Sequence, residues 1–209
     1  GSDSGFTVYV STNCESDYDD IRFATTDGTT LCDYWIEESE LDYAKIWVEV
    51  PSIAGSGDTT LYLYYGNASV GSQQDKTNVW DNYYRGVWHL SNNNSASTTD
   101  STHYSNKGTV IGNASSTNSG QVDGAFQFNN SPDYINIPNE SNFDFERTQP
   151  FSISVWTYRA SNSDENDIVE KYTGSITSTN YALWIDSGTT QLKFAIIDSD
   201  NNEIRINTS

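Results

Sequence analysis

Methionine is absent from this chain, and basic residues, histidine, cysteine and proline are scarce. Each shortage removes a class of function. Only ten Lys and Arg stand against 29 Asp and Glu, a formal charge of -19. That field repels phosphate backbones and anionic headgroups, so neither nucleic acid nor a membrane surface is expected as a partner. Cations, basic proteins and neutral glycans are compatible with it. The charge also keeps an exposed protein soluble, or suits halophilic or calcium-rich surroundings. No run of eighteen apolar residues exists, so no membrane-spanning helix and no direct membrane insertion are expected. Two cysteines by themselves are too few ligands for a structural zinc site, and no glycine-rich phosphate loop occurs. His89 alternates with Trp88 and His103 sits in a polar stretch, with no cluster around either to activate a nucleophile.

What is present is tyrosine, with Ser, Thr, Asn and Gly between short apolar runs. The composition suits an all-β protein with long polar loops. "FTVYV" (6–10) alternates, "DIRFATTDGTTLCDYWIEE" offers strands around an Asp27-Gly28 turn, and "AKIWVEV" ends at Pro51. Ile46, Val48, Leu61 and Leu63 fall on one side, while Tyr9, Trp47, Tyr62 and Tyr64 fall on the other. That outer aromatic row is either sandwich wall or a platform on which a sugar ring or a partner stacks. After a short aromatic bridge near 81–85, a second pattern begins: "GTVIG", "GAFQF", "DYINI", "FSISVW", "YALWID", "QLKFAII" and "EIRIN" all read as strands, with no helix. The expected architecture is two tandem antiparallel β-sandwiches, a small one over 1–80 and a larger one over 86–209.

Cys14 and Cys32, with a strand and turn between them, are expected to form a disulfide worth roughly 3 kcal/mol in the chain-entropy model. Two buried free thiols are the alternative. Usable N-x-S/T sequons at Asn67, Asn93, Asn113, Asn139 and Asn207 point to an extracellular, cell-surface glycoprotein; Pro132 makes the triplet at Asn129 a poor acceptor.

Two resemblances follow. The strings "DIRFATTDGTTLCDYWIEE", "IWVEVPSIAGSGDTTLYLYYGNAS" and "NVW" resemble an uncharacterised β-domain of archaeal and bacterial surface proteins. "GVWHLSNN", "DSTHYSNKGTV", "GQVDGAFQFNNSPDYINIP", "FSISVWTYR" and "DIVEKYTG" resemble the laminin-G-like branch of the concanavalin A-like lectin/glucanase superfamily. The second resemblance implies a jelly roll that binds glycans or proteins, commonly with calcium at one rim. Asp100, Asn106, Asn129 and Asp133 match the positions of such rim loops, and calcium wants roughly six to eight oxygens. Relatives usually continue beyond "NEIRINTS" with further strands, which implies a jelly roll truncated here at its C-terminus and completed by a longer chain or a neighbouring subunit.

One enzyme signal remains. Glu165, Asp167 and Glu170 spell E-x-D-x-x-E, the spacing of β-glucanases in that superfamily, where a bulged strand turns all three carboxylates into one cleft. A retaining pair must stand about 5–5.5 Å apart. Asn166, where the glucanase motif carries an apolar residue, argues against it. The expectation is therefore a non-enzymatic recognition or adhesion module, binding a glycan or a surface protein. A self-assembling subunit or spacer of a filament or sheath is the alternative, and a glycoside hydrolase a remote one.

Overall fold

The computed structural model describes residues 7–10, 13–90, 97–122, 124–129, 132–145, 149–161, 163, 166–171, 180–197 and 202–208. Almost all regular structure within them is β, in antiparallel sheets, as composition and alternation predict. Among the described residues helix is confined to one turn of α-helix and one 3-10 turn, so no helix is long and apolar enough to cross a membrane. The chain forms two compact units, Gly1–His89 with Thr99–Asn106, and Leu90–Thr98 with Lys107–Ser209.

In the first unit, β1 (Arg22–Ala24) lies between β2 (Leu31–Cys32) and β5 (Tyr62–Tyr64). The β1–β2 turn forms because Asp27 gathers donors. Its Oδ1 accepts the Thr29 and Thr30 amides and its Oδ2 the Thr30 hydroxyl, while Gly28 takes the positive φ of 71° that a side chain would resist. A second hairpin pairs β3 (Tyr34–Ser39) with β4 (Ala44–Val48). Tyr34 opposes Val48 and Ile36 opposes Ile46 on the inner face, where all four pack with Tyr18, Ile21, Phe23 and Leu63 into one core. Trp35 opposes Trp47 on the outer face, as the alternation of "AKIWVEV" requires. The register slips between Ile36 and Glu38, which makes Glu37 a bulge residue. The one-turn helix α1 (Lys76–Val79) is capped by Asp75, whose Oδ1 accepts the Thr77 and Asn78 amides, and is tied to β3 where the Asp75 amide donates to the Tyr34 carbonyl.

The second unit contains β6 (Ser97–Thr98), β7 (Gly108–Ile111) and β10 (Tyr134–Asn136) in one sheet, and β8 (Ser115–Thr117) with β9 (Ala125–Gln127) in another. Its largest sheet is a meander of β11 (Asn166–Lys171), β12 (Asn180–Ile185), β13 (Leu192–Ile197) and β14 (Glu203–Asn207). One face carries Tyr181 and Phe194 against Phe151, with ring centroids 5.1 and 6.1 Å away, and Phe145 stacks on Phe151 at 4.7 Å. The other face carries Trp184, covered by the Arg205 guanidinium 5.3 Å from its ring.

Two expected strands are not formed. Residues 7–10 of "FTVYV" and all of "FSISVW" lie outside every sheet, with Val8, Tyr9, Val155 and Trp156 exposed. Alternation sets which side chains share a face, but a strand also needs a neighbour to complete its ladder.

The expected disulfide is also overturned: Cys14 and Cys32 are both free thiols. Asp20 explains the first of them. It is almost fully buried and collects the Glu15 and Gly66 amides, and the Cys14 thiol donates to its Oδ1 at 3.5 Å. Burial, then the Asp20 bond and charge, push the Cys14 thiol up to about 11. Cys32 sits opposite Phe23 in the β1–β2 ladder, and burial raises its pKa too.

Candidate functional site

The outer face of the β3–β4 hairpin carries the most developed site in the first unit. Its centre is Glu37, turned by the bulge onto the tryptophan side. The Glu37 side chain is only 2 % exposed, and its Oε1 lies 2.5 Å from His89 Nδ1 while Oε2 accepts the Trp47 indole N–H at 2.5 Å. Burial alone would push this carboxyl up, but the His89 and Trp47 hydrogen bonds, with the His89 and Lys45 charges, outweigh it and hold it below the ordinary value. Around the imidazole stand Trp47 at 4.7 Å, Trp35 at 5.4 Å and Trp80 at 5.5 Å between ring centroids.

In front of this buried pair opens a pocket of about 290 Å³. Trp47 comes from β4, Trp80 from the end of α1, and Tyr84 from a turn in which the Tyr84 amide donates to the Asp81 carbonyl. Trp80 lies 5.2 Å from Trp47, tilted by 53°, and 5.2 Å from Tyr84, tilted by 71°. The three rings therefore form walls rather than a flat stack. Val50, Pro51 and Val79 add apolar lining, and Glu49 and Asp81 supply the carboxylates. Burial, then the charges of Asp33 and Asp81, raise the Glu49 carboxyl. A second cavity, about 490 Å³ in the second unit, is lined by Arg159, Ser161, Ile185 and Thr190. There the Arg159 guanidinium donates to the Asp186 and Thr189 carbonyls.

Of the four residues expected to form an aromatic platform, Trp47 alone lines this pocket. Tyr62 and Tyr64 stack on each other at 6.4 Å on β5, half-exposed, and the Tyr64 hydroxyl donates to the Gly28 carbonyl. Tyr9 is exposed outside any strand. Trp80 and Tyr84 join the site from outside the expected row, and His89, expected to stand without a cluster, lies against Glu37. The signal for Trp80 and Tyr84 was the density of aromatic residues in what reads as a linker.

The expected calcium ligands fall in two groups. Asp100 and Asn106 belong to the first unit, where Asp100 Oδ1 accepts the Val87 and Thr102 amides and Oδ2 accepts the Thr102 hydroxyl and the Asn106 amide. Asn106 is fully buried, its Nδ2 donating to the Arg85 carbonyl. These residues staple residues 99–106 to 85–88, and a cation there would have to displace the four donors on Asp100. Asp133 belongs to the second unit and accepts the amides of Asn113 and Asn129. Among the described residues no three His, Cys, Asp or Glu are grouped to hold a metal.

Glu165 lies outside the described residues. Its companions do meet. The β11–β12 register slips between Asp167 and Val169, so Asp167 opposes Trp184 and Glu170 opposes Ala182. Those partners are two residues apart, which puts Asp167 and Glu170 on one face despite their odd spacing. Burial, then the Asp167 charge, raises the Glu170 carboxyl, although both side chains are exposed. The sequon residues Asn67, Asn113, Asn139 and Asn207 are exposed, and Asn93 lies outside the described residues.

Residues 17–130, more than half of the chain, match the family model described as "Domain of unknown function (DUF2341)"; the match takes in β1 to β9 and includes every residue of the aromatic pocket. Neither a curated protein nor a solved structure matches. On the extent of that match, the chain belongs to the DUF2341 domain family.

Proposed function

We propose that this chain is an extracellular, non-enzymatic recognition module of a cell-surface protein, its second unit a laminin-G-like jelly roll of the concanavalin A type. The observation that carries the reading is the Trp47–Trp80–Tyr84 pocket, three rings held at angles around a space edged by two carboxylates. Aromatic walls with a few placed polar groups are the usual build of a binding site. The Glu37–His89 pair behind them fixes the Trp47 indole from beneath, which preorganises the wall. The test is binding of the full chain to an immobilised panel of glycans and surface proteins. A ligand bound by the wild type and lost with Trp80→Ala, at unchanged circular dichroism, supports the reading. Ligands that bind the Trp80→Ala variant equally well would move recognition elsewhere.

A second reading, a self-assembling surface subunit, is favoured by β14. It is the edge strand of the four-stranded sheet and all five of its residues are exposed. Ile204 and Ile206 extend the face of Tyr181 and Phe194 yet are 59 % and 63 % exposed. Open edges of this kind pair with other strands. Two copies paired antiparallel about Ile204 would set Glu203 of one strand opposite Arg205 of the other. Concentration-dependent polymers that Ile206→Lys abolishes support this reading; a monomer at all concentrations removes it.

A further inference from the structure

We propose that the Trp47–Trp80–Tyr84 pocket takes an alkylammonium group, supplied by a lysine side chain of a partner protein. The inference rests on the recognition reading and names the chemistry that would be recognised.

The first argument is charge. Glu49 and Asp81 both line the pocket, and among the described residues no basic one does. The first unit has four Lys and Arg, and each is engaged elsewhere. Lys45 pairs with Glu38 at 2.5 Å, and Lys76 lies over Trp35 at 5.5 Å. Arg22 donates to the carbonyls of Asp19, Ile21 and Gly71, and Arg85 covers Tyr104 at 5.0 Å. The Glu49 carboxyl is raised first by burial and then by the like charges of Asp33 and Asp81, and that second cause agrees with the excess of negative charge here. A cation entering here meets two carboxylates without first displacing a resident one.

The second argument is the walls. Aromatic faces carry negative potential, and a cation over the face of tryptophan or tyrosine is attracted by it, most strongly once desolvated. Three rings at 53° and 71° to their neighbours surround a compact charge better than they fit a flat pyranose ring, which prefers one exposed platform. The third argument is size and lining. At about 290 Å³ the space holds one head group and a stem, and Val50, Pro51 and Val79 suit a tetramethylene chain. The net charge of -19 steers such a partner inward.

The experiment titrates the full chain with Nα-acetyl-lysine methylamide and follows tryptophan fluorescence, alongside its Nε-acetylated form, choline, and a neutral oligosaccharide. Binding of the lysine probe is expected, weakening with salt, and Nε-acetylation should weaken it at least tenfold. Glu49→Gln should weaken it about fivefold or more, while Asp58→Asn, in an exposed loop, leaves it unchanged. If Glu49→Gln shifts the melting temperature, Asp81→Asn serves in its place. Equal binding of the acetylated probe would overturn the cationic class. Binding of choline without the lysine probe would overturn the protein source and leave a free quaternary ammonium as the ligand. Binding of the oligosaccharide alone, lost with Trp80→Ala, would overturn the inference and keep the recognition reading. Silence of every probe, with the glycan and protein panel also negative, would overturn both.

Discussion

Each unit contains a β-bulge next to an acidic residue, and the two bulges do opposite things. In the β3–β4 hairpin the extra residue is the acid itself, and the bulge drives Glu37 into a site 2 % exposed, where a histidine and an indole N–H receive it. In β11–β12 the extra residue is Ile168, and the bulge instead gathers two exposed acids, Asp167 and Glu170, on the face that carries Trp184. One backbone irregularity thus builds a satisfied, load-carrying pair, and the other a mutually repelling one. What separates them is the partner residue and the depth of burial, not the bulge.

The largest expected effect breaks the first member of this comparison. Glu37→Ala leaves His89 and the Trp47 indole facing an emptied buried site, and removing one partner of such a pair costs about 3–5 kcal/mol. Urea unfolding at neutral pH measures it, and a loss below about 1 kcal/mol would mean that the pair is solvated. Acid sharpens the point. Glu37 has a folded-state pKa below its ordinary 4.5, so its contribution is complete above that pH and is lost as the pH falls through the lower folded value. The Ala variant should therefore show a shallower acid slope there than the wild type.

Asp100 extends the comparison to an acid satisfied by three backbone amides and one hydroxyl, with no cation beside it among these donors. Asp100→Ala orphans three amides and a hydroxyl, and a loss of about 2–3 kcal/mol is expected by thermal or urea unfolding. Calcium or chelator should move the melting temperatures of wild type and variant equally, because these oxygens are already filled. A calcium shift confined to the wild type would put an ion on Asp100.

How much of this was legible beforehand depends on the range of the interaction. The inner row Ile46, Val48 and Leu63 and the outer residues Trp47, Tyr62 and Tyr64 follow from alternation, a local property. The Asp27-Gly28 turn is local too. The pocket was half legible: Trp47 shows in the outer row, but Trp80 and Tyr84 join it only through the Asp75 cap and the tie from Asp75 to Tyr34. The bulge at Glu37 cannot be read from spacing, since a bulge breaks the period from which faces are inferred, and the one between Asp167 and Val169 is hinted at only by the E-x-D-x-x-E resemblance. The thiols mislead for a related reason. Two cysteines around a hairpin suggest a staple, and only the position of Asp20 shows where Cys14 donates.

The thiols give a further test, smaller in energy. Unfolding the non-reduced protein in alkylating agent should label both Cys14 and Cys32, whereas a product carrying neither label would restore the disulfide. In the folded protein Cys14, its thiol pushed up to about 11, should react slowly near pH 8, and Asp20→Asn should quicken it, because the Asp20 hydrogen bond and charge are among the causes that hold the proton on sulfur.

The smallest expected effect lies at the second bulge. Glu170 has a folded-state pKa raised by burial and by Asp167, so its ionised form is disfavoured in the folded chain above that value. Glu170→Gln removes the repulsion and should stabilise the protein slightly at neutral pH, within about 0.5 kcal/mol for an exposed side chain. The gain should vanish as the pH falls through the raised value, because the wild-type carboxyl then takes up its proton and becomes as neutral as the amide. This is the reverse of the acid response at Glu37, and measuring both variants against pH in one series sets the two bulges side by side. Ligand binding should be unchanged by the substitution, since the aromatic pocket belongs to the other unit. If the wild type instead hydrolyses a glycan and Glu170→Gln abolishes that activity, the repelling pair is a catalytic one: a carboxyl kept protonated near a charged neighbour is what a general acid needs.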